Sequence, residues 1–373
     1  MKRLELEPRS DAWHAARDDA WTASLAATLA VPENAMALKK YAAAKGVTLE
    51  VDMLIANAGV KSFYGNTLWT VWAAKTGRIP RFKGNDHTKR GQSNEEGVIQ
   101  MFEQKQLIGV EREVTATANE ADKKWLLASF DGLVPASSDK SVTAPFGFPL
   151  EAKCPAFQSR KKLFDSKKKG KLYIMGLPYY WCQVQHQILV AQAPYGWFVA
   201  AGFDEKTNEL VFPVIEKVPR DDDFLEQYEA AAAFYYQEFI YLGEEPPRLL
   251  SDEQLLRDLA DKAAFDHAMA AHDIDGAAEL FFAAQAAEKA AIEVRKNLEA
   301  KLIAAARDLR RAPSDDEESV ELAGLLTVNF SKTSSVSWQK VAEKLSPSGV
   351  PKDVIEGCTG KPREAVKVKA VEA

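Results

Sequence analysis

The sequence predicts an α/β protein whose mixed central sheet is flanked by helices and followed by a mainly helical C-terminal extension. Three observations favour this class: helical periodicity near the N-terminus, strand-like segments between residues 110 and 155, and a helix with two further strands between 178 and 216. Such alternation is typical of a sheet with helices on its faces. Beyond about Asp221 the composition shifts to Ala, Glu, Lys and Leu, which predicts helices up to Arg311.

Composition is that of a folded globular protein. Of 373 residues, 46% are hydrophobic and 27% charged, which excludes disordered and collagen-like classes. The net charge of −6 argues against a protein that coats nucleic acid indiscriminately, although a locally basic groove stays compatible with it. Cys154, Cys182 and Cys358 form no CxxC pair, so neither a disulfide framework nor a zinc site is predicted. Without an apolar N-terminal segment or a membrane-length apolar stretch, we expect a cytoplasmic protein.

The N-terminal elements are predicted to be helices and loops. Residues 10–30 repeat apolar side chains at helical spacing, which predicts two short helices. Residues 78–91 are basic and rich in turn formers, which predicts an exposed loop. From 94 to 103 the apolar residues share one helical face, and Glu95 lies near the predicted start of that helix.

Strands are predicted where β-formers are dense and turn residues stand between them. These segments are VEREVTA (110–116), WLLASFDGLV (125–134), PLEAKCP (149–155), WFVAAGF (197–203) and ELVFPVIE (209–216). The first three are expected to form a meander, with Asp131–Gly132 marking the end of the second. A long helix is predicted from about Pro178, before the last two strands.

The chain is predicted to divide into three parts. A first domain covers residues 1–220, a helical extension 221–312, and a small strand–helix unit with a frayed tail 313–373. An acidic stretch, PSDDEES (313–319), indicates a linker. The amphipathic helix at 277–311 either packs on its own core or forms an interface with another chain.

A cluster of charged residues is predicted at two neighbouring strands. Glu151 and Lys153 lie on the same face of their strand, because side chains alternate along it, and Asp131 lies on the strand before. Two carboxylates and the carbonyl of Ala152 are ligands that a hard cation such as Mg²⁺ requires. Lys153 can orient or deprotonate a water and stabilise charge on a phosphate. This set indicates phosphodiester hydrolysis, with a surface ion pair of Glu151 and Lys153 as the alternative.

Five short blocks occur in a fixed order between about residues 9 and 216. They are RDDAWTAS (17–24), GQSNEEG (91–97), SFDGLV (129–134), LEAKCP (150–155) and YWCQVQ (180–185). In this order they resemble the lambda-exonuclease and YqaJ-like viral recombinase nucleases of the PD-(D/E)xK superfamily. The resemblance implies a restriction-endonuclease-like core. It also implies an Mg²⁺-dependent exonuclease that degrades linear double-stranded DNA from 5′ to 3′ and leaves 3′ single-stranded tails for recombination.

The resemblance also implies roles for individual residues. Asp131, Glu151 and the Ala152 carbonyl would hold one of two Mg²⁺ ions, with Mn²⁺ as an alternative, and Glu95 would lie beside the second. Lys153 would be the general base or water-positioning group. One further residue, Gln183, would be the helical glutamine near the active site. The alternative for Glu95, independent of the resemblance, is that its carboxylate stabilises the dipole of its helix and binds no metal.

Arg17 and Ser24 fall on the family's 5′-phosphate pocket. A guanidinium fork and a hydroxyl suit a terminal phosphate dianion. The alternatives are a solvated helix charge for Arg17 and a helix N-cap for Ser24.

Two basic segments are candidate DNA contacts. Residues 160–171 follow the catalytic strand, and the cations predicted to follow DNA phosphates are Arg160, Lys161, Lys162, Lys167, Lys168 and Lys169. The second segment is RFKGNDHTKR (81–90), and an ordinary solvated surface is the alternative for both. The insert ASSDKSVTAPFGFP (136–149) either reaches toward DNA or is a longer exposed loop.

Partners follow from the same resemblance. Relatives form trimeric rings around DNA and act with a single-strand annealing protein, so a homo-oligomer, DNA ends as substrate and a phage or prophage origin in a bacterial host are expected, without a membrane. The alternatives are a PD-(D/E)xK endonuclease, of the restriction or junction-resolving kind, and an inactive DNA-binding or assembly module.

Overall fold

We describe the fold from a computed structural model of the chain. The structure describes residues 1–80, 84, 86–204, 207, 209–270, 274–309, 319–322, 326–333 and 363–370. These residues form two compact units, Met1–Arg257 and Asp258–Ala373. The sequence instead placed boundaries after residues 220 and 312, and that three-part division stays a prediction.

The first unit contains one mixed sheet. Among the described residues its strands are β1 (Lys2–Arg3), β2 (Trp21–Thr22), β3 (Glu111–Thr117), β4 (Leu126–Val134), β5 (Phe148–Lys153), β6 (Tyr195–Asp204) and β7 (Glu209–Pro219). The order is β1-β3-β4-β5-β6-β7, and β2 pairs with β4 in parallel. β3, β4 and β5 are antiparallel neighbours, which is the predicted meander. β5 and β6 are parallel, so the sheet is mixed and the predicted α/β class is confirmed.

Helices connect and cover these strands. In the first unit they are α1 (Asp11–Asp18), α2 (Pro32–Ala44), α3 (Asp52–Ala58), α4 (Leu68–Lys75), α5 (Asp86–Gln106), α6 (Phe157–Lys168), α7 (Pro178–Ala191) and α8 (Asp222–Tyr235). The predicted second N-terminal helix is a 3₁₀ helix, Ala23–Ala30. α9 (Leu250–Ala270) contains the boundary between the units. No helix among the described residues has the length and apolar character needed to cross a bilayer.

The second unit is helical with a small sheet. Its strands β8 (Ser319–Leu322), β9 (Leu326–Thr333) and β10 (Arg363–Ala370) pair antiparallel in the order β10-β9-β8, after α10 (Ile274–Leu309). The predicted frayed tail is wrong over 363–370, because these residues pair along the full length of β9. The helix predicted after β9 and most of the predicted linker lie outside the described residues.

Two local predictions near the charged cluster are wrong. Asp131–Gly132 does not end its strand, because Gly132 pairs with Leu150 and β4 continues to Val134. α5 begins at Asp86, so part of the predicted loop at 78–91 is helical and Glu95 lies in the middle of the helix. The first turns of this helix contain basic and turn-forming residues and no periodic apolar face, so the sequence pattern did not indicate where the helix begins.

A buried chain of hydrogen bonds ties α7 and α8 to the sheet. Trp21 donates its Nε1 hydrogen to the Tyr228 hydroxyl at 2.9 Å, and that hydroxyl lies 2.7 Å from His186 Nδ1. His186 Nε2 lies 3.0 Å from the carbonyl of Leu127 in β4. Burial lowers the pKa of His186 to about 3, so the imidazole is neutral and donates through Nε2. The histidine is thus a packing residue.

Replacing Tyr228 by phenylalanine is expected to destabilise the fold. The substitution leaves Trp21 Nε1 and His186 Nδ1 buried without their partner, which costs about 1–3 kcal/mol. Urea denaturation followed by tryptophan fluorescence measures the loss. The matched control is Tyr241→Phe, because Tyr241 is exposed and its variant should unfold at the wild-type midpoint. Equal midpoints for both variants would contradict the role of the hydrogen-bond chain.

Candidate active site

The central carboxylates come from two adjacent antiparallel strands. Gly132 of β4 stands opposite Leu150 of β5, and this register brings Asp131 beside the segment 151–153. The backbone N–H of Ala152 donates to Asp131 Oδ2 at 2.9 Å. The Asp131 carboxylate therefore takes the place of a backbone acceptor where the two strands separate. This hydrogen bond fixes the position of the carboxylate.

The ammonium of Lys153 lies among the three oxygen groups that the sequence predicts as metal ligands. Its Nζ is 3.3 Å from Asp131 Oδ2, donates to the Ala152 carbonyl at 3.0 Å and forms an ion pair with Glu151. The ring centroid of Tyr180 is 5.4 Å from the same nitrogen. The oxygens thus converge on a positive charge, which is supplied here by the protein itself.

Glu151 is fully buried and is held by a glutamine that sequence reasoning missed. Its side chain is 0% exposed, and Gln187 Nε2 donates to its Oε2 at 2.6 Å. Gln183 lies one helical turn before Gln187 on the same face of α7, so the spacing of four residues was the available signal. Gln185 instead donates to the Pro219 carbonyl at 2.7 Å.

The pKa values of the site reflect burial and crowding of like charges. Burial, followed by the charge of Asp131, raises the pKa of both Glu151 and Glu95 to about 7, against the opposing effect of Lys153. Burial alone would lower the pKa of Lys153, but Asp131 and Glu151 raise it well above its usual value. Lys153 is therefore an ammonium at neutral pH.

A cavity of about 220 Å³ gathers five of the predicted site residues. Those that line it are Arg17, Ser24, Glu95, Asp131 and Gln183. Asp131 belongs both to this cavity and to the cluster around Lys153, so it joins the two. Arg9, Gln92, Glu113 and Ser129 also line the cavity and were not predicted. A larger cavity, of about 430 Å³ near the end of α7, contains none of the predicted site residues.

Arg17 and Ser24 form a pair at the cavity wall. Arg17 Nη2 donates to Ser24 Oγ at 2.9 Å and Nη1 to Ser129 Oγ at 3.3 Å. The guanidinium carbon lies 4.3 Å from the ring centroid of Trp13, which orients the fork. Burial lowers the pKa of Arg17 to about 10, so it remains a cation at neutral pH. Ser24 is no helix N-cap, because that position belongs to Thr22.

The predicted DNA-binding cations lie on and just after α6, and none of them lines the 220 Å³ cavity. The lysines are exposed and Arg160 is half-buried. Lys167 Nζ is 3.8 Å from a carboxylate oxygen of Glu216, and Lys168 Nζ is 3.7 Å from one of Asp165. Of the second basic segment, residues 81–83 and 85 lie outside the described residues.

The insert between β4 and β5 is held onto the sheet by one carboxylate. Tyr195 donates its hydroxyl hydrogen to Asp139 Oδ2 at 2.9 Å, and Lys217 Nζ lies 3.1 Å from the same atom. This anchor fixes the start of the insert, while residues 140–143 are exposed. Contact of the insert with DNA stays a prediction.

The donor set fits a hard divalent cation. Within the described part of the chain, no three His, Cys, Asp or Glu side chains are arranged to hold a metal ion. Two carboxylates and one carbonyl nevertheless converge on the ammonium of Lys153, and oxygen ligands of this kind suit Mg²⁺, Mn²⁺ or Ca²⁺. Glu95 joins Asp131 at the cavity.

The fold and the site define a mixed-sheet protein with two carboxylates and a lysine on adjacent strands. Residues 12–194 match the family model of the YqaJ-like viral recombinase domain. This segment is similar to the YqaJ-like viral recombinase domain, and the predicted resemblance is confirmed over these residues. None of the curated proteins compared with the chain matches it.

Solved structures of exonucleases are similar to the chain at low identity. An alkaline exonuclease from Laribacter hongkongensis is 17% identical over 68% of this chain and 100% of its own, with a TM-score of 0.40. Its complex with dAMP is 18% identical over the same shares, also with a TM-score of 0.40. A phage-related exonuclease from Haemophilus somnus 129PT is 14% identical over 60% of this chain and 96% of its own, again with a TM-score of 0.40.

Replacing Glu95 by glutamine is expected to change how stability depends on pH. The folded pKa of Glu95, about 7, exceeds its ordinary value of 4.5, so the stabilising contribution of its protonated form is complete below pH 4.5. That contribution is lost as pH rises through about 7. Glu95→Gln, neutral throughout, should therefore gain stability relative to wild type between pH 4.5 and 7.

Urea denaturation in a metal chelator measures this difference, and comparison with wild type cancels contributions that both proteins share. Glu96→Gln is the matched control from the same helix, because bonding to Arg112 lowers the pKa of Glu96. That control should show no gain over the same interval. A constant difference between Glu95→Gln and wild type would contradict the raised pKa.

Proposed function

We propose that the protein is a metal-dependent 5′-to-3′ exonuclease. It degrades one strand of linear double-stranded DNA and leaves 3′ single-stranded tails for homologous recombination by single-strand annealing. The observation that carries this proposal is the shared cavity: Asp131 of the lysine cluster and the Arg17–Ser24 pair open into the same space. A site that holds a terminal phosphate next to hydrolytic groups cleaves at an end rather than internally.

Asp131, Glu151 and the Ala152 carbonyl would hold a divalent cation, and Glu95 would lie beside a second. A bound cation supplies Lewis acidity at the scissile phosphate and a more acidic water. Mg²⁺ is the proposed ion, with Mn²⁺ as the alternative, since oxygen ligands suit both.

The side chains around these ligands have separate tasks. Lys153, as an ammonium, donates hydrogen bonds and stabilises negative charge that develops on the phosphate. Gln187 fixes the rotamer of Glu151 by donating to it. Gln183 lines the cavity and is placed to contact the substrate or its water.

Arg17 and Ser24 are proposed to bind the 5′-phosphate. The guanidinium presents several donors in one plane, which matches the oxygens of a phosphate, and the Trp13 ring keeps that plane oriented. Because burial strengthens a charge-assisted bond, the half-buried Arg17 suits a terminal dianion better than an exposed cation would.

Exposed lysines of α6 are proposed to follow the DNA backbone, since cations near a catalytic strand add salt-dependent affinity. A trimeric ring, a single-strand annealing partner and a bacterial cytoplasm as the site of action belong to the same proposal. The match of residues 12–194 to the YqaJ-like viral recombinase domain supports this setting.

Lys153→Ala is expected to reduce hydrolysis of linear duplex DNA by about 10²–10³-fold, the range for loss of a donor that stabilises charge developing in the transition state. Duplexes labelled separately at each end are digested in Mg²⁺, and release of the 5′ label as mononucleotide is measured. Lys124→Ala removes an exposed lysine outside the cavity and is the control, expected at the wild-type rate. Closed circular DNA should stay intact.

Other outcomes decide between the alternatives. Cleavage of closed circles by wild type, lost in Lys153→Ala, would establish an endonuclease with the same catalytic groups. Binding of DNA without any metal-dependent product would establish an inactive binding module.

Arg17→Ala is expected to remove the preference for a 5′-phosphate. Charge-assisted hydrogen bonds contribute about 1.5–3 kcal/mol, so the ratio of initial rates on 5′-phosphorylated and 5′-hydroxyl ends should fall by about 10–100-fold. Arg17→Lys keeps the charge without the planar fork and should give an intermediate ratio. An unchanged ratio in Arg17→Ala would place the end-binding group elsewhere.

A further inference from the structure

Two exposed phenylalanines flank an arginine beside the catalytic strand. Phe157 begins α6 and Phe212 lies in β7; their exposed fractions are 67% and 65%. The guanidinium carbon of Arg160 lies 5.7 Å from the ring centroid of Phe157 and 5.3 Å from that of Phe212. We call these three residues the aromatic platform. None of them has a role in the proposed hydrolysis.

The backbone presents Phe212 outward through a β-bulge. Ala200 pairs with Val214, but Gly202 pairs with Val211, so the β7 strand has an additional residue here. Phe212 has a φ of 51°, a left-handed conformation that is unfavourable for a bulky side chain. Bulges redirect side chains and are frequent next to functional sites. The fold therefore places an apolar ring in solvent by means of an unfavourable local conformation.

Gly202 makes room for the arginine of the platform. A Cβ atom at position 202 would lie 1.0 Å from Arg160 Nη1, so the guanidinium occupies the space that any side chain there would take. Arg160 is thus inserted against β6 and held between the two rings, with its orientation set by the sheet.

The platform lies near the catalytic residues. Lys153 pairs with Ala200 in the parallel β5–β6 ladder, and Gly202 lies two residues further along β6, roughly 7 Å. Burial raises the pKa of the thiol of Cys154, the residue after Lys153, and the charges of Arg90 and Arg160 oppose this rise. A DNA strand bound at Lys153 therefore needs few nucleotides to reach the platform.

We propose that the aromatic platform binds the unpaired bases of single-stranded DNA. Exposed aromatic rings beside cations are the features by which proteins bind single strands without sequence preference, since every base has a face that can stack. Phe157 and Phe212 stack on bases, and Arg160 with the neighbouring Lys161 and Lys162 contacts phosphates. The proposal rests on the proposed function, because digestion of one strand is what leaves the other unpaired next to the site.

Charge complementarity favours this occupant. The exposed part of α6 adjoining the rings is cationic, so a polyanion that also offers apolar faces satisfies both features at once. Bases within a duplex are already stacked on one another, so the platform should distinguish single-stranded from double-stranded DNA.

The test compares the Phe157→Ala/Phe212→Ala double variant with wild type in a metal chelator, where hydrolysis is absent. Affinity for a fluorescent oligothymidylate should fall by about tenfold or more, and affinity for a blunt duplex by less than twofold. Tyr241→Ala/Leu242→Ala removes two exposed apolar side chains of the first unit that belong to no proposed site and is the matched control, expected to bind both DNAs as wild type does. Circular dichroism and sedimentation accompany each variant.

A second measurement uses the unaltered protein. Photo-crosslinking of a 5-iodouracil oligonucleotide to wild type should yield modified peptides that contain Phe157 or Phe212. Crosslinks confined to other peptides, with unchanged oligothymidylate affinity of the double variant, would overturn the platform. Loss of self-association in the double variant, without loss of single-strand affinity, would instead make the surface an interface between copies.

Failure of this proposal is distinct from failure of the proposed function. If wild type digests linear duplexes while the double variant binds single strands normally, the platform is rejected and the exonuclease stands. If wild type neither digests nor binds DNA, the proposed function is rejected and the platform with it.

Discussion

Burial of the Glu151 carboxylate beside Asp131 is the constraint on which the rest of the site depends. A buried charge is costly unless it is paired and hydrogen-bonded, and two neighbouring carboxylates increase that cost. An ion pair with Lys153 from the same strand and a hydrogen bond from Gln187 of α7 offset this cost. Strand register, helix position and lysine rotamer are therefore mutually dependent, and a shift of any one leaves a charge unpaired in the interior.

Helix α7 connects this site to the remainder of the first unit through different faces. Gln183 and Gln187 face the cavity and Glu151, whereas Gln185 is bonded to Pro219 and receives the Asp221 N–H at the start of α8. His186 reaches Leu127 of β4. Gln185, His186 and Gln187 thus each bond to a different part of the first unit, which explains how three consecutive polar side chains are accommodated in a buried stretch of the helix.

Period-two and helical patterns predicted most of the fold, because each is a local property of the chain. The meander, the helix that precedes the last two strands and the acid–lysine pair on β5 all follow from alternation and element order. Gln187 was missed because its contact with Glu151 spans 36 residues and depends on how α7 docks on the sheet. The beginning of α5 was missed because its first turns are polar and basic, so apolar periodicity starts only near Val98. Likewise, the turn chemistry of Asp131–Gly132 was overridden by pairing with β5.

The hydrogen-bond chain from Trp21 to Leu127 has only one possible direction. Indole can only donate and a carbonyl can only accept, so the phenol of Tyr228 and the imidazole of His186 must each accept at one end and donate at the other. Such a polarised series is all-or-none: reversing one link would set two donors or two acceptors face to face. The joint between α7, α8 and the sheet consequently admits a single proton arrangement, which gives this interior a defined electrostatic orientation as well as a defined shape.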